Sequence, residues 1–171
     1  MRAVLVFCCF VPLAWAQRQP DLSAQREAMQ KLSFLTGKWS GEALILEGSD
    51  GPLKIRQTED VQYKLDGLVM LVEGTGTNLE SGQVVFRALA TIAYDEATKT
   101  YRFRAYSRGR YLDTELKSTE NRFEWGFQAG PATVRNIMRL NEKGEWYETT
   151  EVTVGNNPPR RTLEMAVRRE K

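Results

Sequence analysis

Arg122-Phe123-Glu124-Trp125-Gly126-Phe127-Gln128 is the stretch that decides the fold. Phe123, Trp125 and Phe127 fall on one face, with Arg122, Glu124 and Gln128 on the other. A strand imposes this period of two, because successive side chains leave a pleated backbone on opposite sides. Turn-forming residues bound the stretch: Thr119-Glu120-Asn121 before it and Gly130-Pro131 after it. The same alternation continues in both directions. Tyr101, Phe103 and Ala105 oppose Arg102, Arg104 and Tyr106; Val84, Phe86, Ala88, Ala90 and Ile92 make another apolar row, as do Leu163, Met165 and Val167.

Extended along the chain, this pattern predicts strands over 39–47, 53–64, 68–77, 84–94, 100–107, 110–118, 122–128, 133–140, 145–154 and 161–169. The links between them are too short for parallel crossovers, so neighbours must pair antiparallel. A sheet of that many strands curls, and closing it removes both exposed edges. The expectation is an all-β, antiparallel up-and-down β-barrel of about ten strands. Upstream, Leu22, Ala28, Met29, Leu32 and Leu35 recur at helical spacing from a cap-type Asp21 or Ser23 until Gly37. One short N-terminal α-helix therefore precedes the barrel.

Composition narrows the functional classes. The chain has 171 residues, 42% hydrophobic and 27% charged, which fits one domain with a sizeable core. Its 24 Lys and Arg against 22 Asp and Glu leave a formal charge of +2, too small to hold a polyanion by bulk charge, and no nucleic acid partner is expected. The sequence contains no histidine, which excludes Ser-His and Cys-His catalysis and His-ligated zinc or haem.

The N-terminus reads as an address. Arg2, an apolar run from Ala3 to Leu13 broken by Pro12, and then Ala14-Trp15-Ala16 have the form of a secretory signal peptide cut near Ala16. The expected organisation is a signal over 1–16, a linker and the start of the helix over 17–31, and the barrel over 32–169. The product would be exported, periplasmic or secreted, and without a stable membrane anchor, since the apolar run is too short to span a bilayer. Phe7 before Cys8 also lacks the small residue of a lipid-attachment signal. Cys8 and Cys9 would leave with the signal, so the mature chain would depend on its core rather than on disulfides.

At Gly37-Lys38-Trp39 the chain resembles the calycin superfamily of lipocalin-like barrels: a short helix, G-x-W opening the first strand, and a meander ending in arginine. Glu145-Trp146-Tyr147-Glu148 and Leu163-Glu164-Met165-Ala166-Val167-Arg168 look like a bacterial lipocalin-like family of unknown function, with its W-x-E strand and E-M-x-x-R ending. The resemblance implies that Trp39 plugs the closed end and that Arg168, or its neighbour Arg169, lies over it. It is also distantly similar to nitrobindin-type ten-stranded barrels, which hold haem through a histidine. This chain has none. Tyr63, Tyr94, Tyr101, Tyr106, Tyr111 and Tyr147 are the ligands a haem would have left, and no cofactor or metal is expected.

The functional expectation is non-covalent binding of a small apolar or amphipathic ligand in the barrel. Phe86, Tyr101, Phe103, Phe123, Trp125, Phe127, Met138 and Trp146 are expected to line it, with Glu148 and Asn136 as polar anchors. Gly41, Ala43, Gly74, Ala88, Ala90 and Ala105 are expected to widen the interior. Glu59 shares a face with Ile55, Val61 and Tyr63 and joins the inward polar groups. The alternative is a structural or interaction protein with a filled barrel, its carboxylates tied into a network or paired with Arg135. An enzyme comes third: it would use Glu148 with Glu59, or Asp113 with Glu115, for proton transfer, and no catalytic residue is expected. Arg108 and Arg110, in a basic and aromatic run from Tyr101 to Tyr111, are candidates for meeting an acidic head group at the rim.

Overall fold

The computed structural model describes residues 20–47 and 51–171. The expected signal over 1–16, with Cys8 and Cys9, lies outside the described residues. Helix α1 (Ser23–Gln30) starts where the Asp21 carboxylate accepts the Ser23 amide at 3.0 Å. The helix does not run on to Gly37. It gives way to a 3₁₀ turn over Ser33–Leu35, and between them Met29, Leu32 and Leu35 are sealed completely from solvent.

Ten strands follow: β1 (Gly37–Ile45), β2 (Leu53–Lys64), β3 (Val69–Asn78), β4 (Val84–Asp95), β5 (Thr100–Ser107), β6 (Arg110–Thr119), β7 (Arg122–Ala129), β8 (Ala132–Leu140), β9 (Trp146–Val154) and β10 (Arg160–Arg169). Each pairs antiparallel with the next, and β1 pairs with β10 to close the barrel. At the β5–β6 turn Arg108 and Gly109 both have positive φ, 51° and 72°, the backbone of a two-residue turn whose twist suits flanking strands. A register shift between Arg161 and Leu163 sets the face of β10 beyond it. Leu163, Met165 and Val167 then point inward, and Glu164 points outward to pair with Arg161.

The helix closes one end. Tyr63 and Tyr101 donate their hydroxyls to the Met29 and Ala28 carbonyls, each at 2.7 Å, and fasten α1 beneath the barrel. Trp39 is 1% exposed; its Nε1–H donates to the Leu35 carbonyl at 2.8 Å, and its ring meets Trp146 edge-on at 5.8 Å. The covering guanidinium is that of Arg169, 4.1 Å from the Trp39 ring, and it also donates to the Phe34 carbonyl. Arg168 does not take this place. Residues paired across strands share a face, and Trp39 pairs with Arg169 whereas Arg168 pairs with Ser40. Arg168 therefore points to solvent and meets Glu145 at 2.6 Å. Gly37 is required here on two counts. Its φ is +114°, and a Cβ would fall 2.6 Å from the Arg169 guanidinium.

Candidate functional site

Above this plug the barrel is hollow. The interior cavity has a volume of about 560 Å³. Leu35 and Trp146 form its floor and the exposed Arg108 stands at the opposite end. Its two sides differ. Gly74, Ala88, Ala90 and Ala105, from β3, β4 and β5, leave room on one side. Beside them, Phe103 on β5 and Trp125 and Phe127 on β7 make a run of stacked rings along the wall, with centroids 4.7 Å and 6.2 Å apart.

Eight of the ten expected ligand-binding residues line the cavity: Phe86, Phe103, Phe123, Trp125, Phe127, Asn136, Trp146 and Glu148. Two do not. Tyr101 points inward but lies at the helix end of β5, where its hydroxyl holds α1. Met138 also points inward and is completely buried in the packing, below the cavity wall. Gly41 adds no space either, because β10 crosses so close that a Cβ on Gly41 would fall 2.1 Å from the Ala166 carbonyl oxygen.

The polar groups gather low in the cavity. Glu59 stands on β2 between Trp39 and Gly74, and a Cβ on Gly74 would come within 2.8 Å of its carboxylate. Gln57, one inward step along β2, donates to Glu59 Oε1 at 2.8 Å. Across the floor, Glu148 on β9 accepts the Trp146 indole N–H at 3.0 Å. The nearby Thr150 donates its hydroxyl to Asn136 Oδ1 at 2.7 Å. The Asn136 Nδ2 donor is left buried with no protein partner.

Both carboxylates are held away from bulk water, which disfavours their charged forms. Burial, with a further push from the charge on Glu148, raises the Glu59 pKa to about 8, against the pull of the Gln57 hydrogen bond. Burial raises Glu148 to about 6, opposed by the Trp146 hydrogen bond. Near neutral pH the floor therefore carries one protonated and one ionised carboxyl group. Arg135 does not balance them; it lies outside and pairs with Glu124 at 2.7 Å. Asp113 does not face the cavity, being paired with Arg102 and Arg104 on the outer surface.

The tyrosines weighed as haem ligands do not meet in this cavity. None of the tyrosines is among its lining residues. Tyr63 and Tyr101 hold the helix, and Tyr106 and Tyr111 are exposed on the outside with rings 6.4 Å apart. Among the described residues no group of three or more acidic, Cys or His side chains is placed to hold a metal. The rim arginines differ: Arg108 borders both the cavity and an outer hollow beside Tyr106 and Tyr111 and donates to the Val85 carbonyl at 3.3 Å, whereas Arg110 lines the outer hollow alone.

Gln57 is a further polar group of the cavity, not singled out by composition or motif. It falls on the same inward row of β2 as Ile55, Glu59 and Val61, so its facing was readable from alternation. Its hydrogen bond to Glu59 needed the fold.

No protein-family model matches the chain, and neither does any curated protein. Among solved structures, Rv2717c from M. tuberculosis aligns with 84% of this chain and 98% of its own, with a TM-score of 0.63 and 11% sequence identity. At that identity the likeness is one of fold alone.

Proposed function

We propose that the chain is a lipocalin-like barrel of the calycin type, exported after cleavage near Ala16, which holds a small and largely apolar molecule inside the barrel. The observation that carries this reading is the 560 Å³ interior cavity, walled by aliphatic and aromatic side chains and furnished at its floor with a few convergent polar groups. Its size lies within the range of pockets that enclose small ligands, about 300–1,000 Å³. A barrel serving only as a scaffold gains nothing from an unfilled interior, since vacant apolar space forfeits packing energy. The row of small residues on β3, β4 and β5 maintains that space where a Leu or Phe would close it.

The test is titration with Nile red, a neutral apolar dye whose emission rises on leaving water. Saturable one-site binding is expected, with energy transfer from Trp125. Ala88→Phe, which fills the cavity from the small-residue side, should weaken binding about tenfold or more, while the unfolding temperature stays within a few degrees. Equal dye binding by the filled variant would overturn the reading.

A further inference from the structure

We propose that the ligand enters polar end first and that this end carries both a hydrogen-bond donor and an acceptor, as a carboxamide does, rather than an anionic head. The inference rests on the binding function proposed above and names the ligand class of the same cavity. Glu148 and Asn136 are diagonal neighbours on paired strands: Glu148 lies opposite Met138, and Asn136 lies opposite Thr150. Groups so placed on one face are about 7 Å apart at their origins, close enough for one small polar group to reach both side chains.

Their hydrogen-bonding needs are opposite and half filled. Glu148 Oε2 is taken by the Trp146 indole, which leaves Oε1 as a free acceptor. Asn136 Oδ1 is taken by Thr150, and its Nδ2 is a donor without a partner in a residue only 5% exposed. A buried unpaired donor is costly unless something answers it. A carboxamide answers both, with its N–H toward Glu148 and its C=O toward Asn136. The apolar remainder then lies along Phe103, Trp125 and Phe127.

The other head groups fail on the same geometry. A carboxylate would be set against the acidic floor, where the cavity offers no cation: its only basic side chain among the described residues is Arg108, at the mouth. Inserting an anionic amphiphile tail first would leave its head near Arg108, but would press hydrocarbon onto Glu59 and Glu148 and strip them of water. An ammonium pairs with Glu148 but has no acceptor to offer Asn136.

The experiment is displacement of Nile red at neutral pH by decanamide, decylamine and decanoate, which share one chain and differ in the head. Decanamide should bind tightest and decanoate weakest, by about tenfold or more between them. Glu148→Gln replaces the acceptor-only carboxylate with an amide that can donate. It should strengthen decanoate at least several-fold and weaken decanamide, a reversal that misfolding cannot imitate. Tightest binding by decylamine or decanoate in the unaltered protein, or no reversal in Glu148→Gln, would overturn this inference while leaving the cavity-binding reading intact. Failure of Nile red and all three amphiphiles to bind would overturn both.

Discussion

The two halves of the barrel are built from the same ten strands and differ in what those strands carry inward. At the helix end Trp39, Met29, Leu32, Leu35, Met70, Leu116 and Val167 are at most 1% exposed and fill the interior. At the other end the inward positions on β3, β4 and β5 include Gly74, Ala88 and Ala105 beside Phe86, and the barrel stands open inside. Alternation runs through both halves, with register shifts toward the open end between Gly76 and Thr77 and between Arg161 and Leu163. The division of labour between stability and recognition is therefore set by side-chain volume along the strand and by where α1 and its 3₁₀ turn are fastened.

If stability resides in the packed half, Trp39→Ala should be the most damaging change. It removes the ring that contacts Trp146 and carries Arg169, at an expected cost of about 3–5 kcal/mol, read as a fall in the denaturant midpoint. A cost below about 1 kcal/mol would erase the contrast between the halves.

The open half should show the reverse: a removable liability. Glu59 has its pKa raised from an ordinary 4.5 to about 8 in the folded chain. The folded state therefore holds this proton more tightly than the unfolded state, so folding is favoured below about 4.5 and that advantage is lost as pH rises through about 8. Glu59→Gln keeps an acceptor for Gln57 and removes the charge. The variant should be more stable than the parent at alkaline pH by several kcal/mol, up to about 5, with the gain vanishing toward pH 4. Thermal unfolding across that range reads the effect, and a pH-independent difference would refute the cause given.

The finest contrast lies between adjacent residues on β10. Arg169→Ala should cost about 1 kcal/mol by uncovering Trp39, and Arg168→Ala no more than about 0.5, since the latter forms an exposed ion pair. Equal losses would mean that the guanidinium over the indole adds nothing to the seal.

These contrasts mark what the sequence makes legible. Alternation placed all ten strands to within a residue or two, because each has one face toward the interior and one toward water. It also identified Glu59, Asn136 and Glu148 as polar groups on apolar rows. It could not measure depth: Tyr101 and Phe103 have the same inward pattern, yet one meets the helix and the other the cavity. Nor could it choose between Arg168 and Arg169, because that depends on the pairing of β1 with β10 and on a register shift at Arg161. The close approach of β10 to Gly41 is likewise a property of strand packing, invisible to any local pattern.

Closure joins the first strand of the barrel to its tenth, so Trp39 finds Arg169 only after the eight strands between them have been made. During synthesis β1 and β9 are both bare edges awaiting the same final segment, and such edges invite pairing with other chains. Long-range closure of this kind also slows folding. Strand β10 thus acts as a latch whose arrival ends the period of greatest vulnerability, and a nascent chain stopped before Arg160 would be left with two sticky borders in place of none.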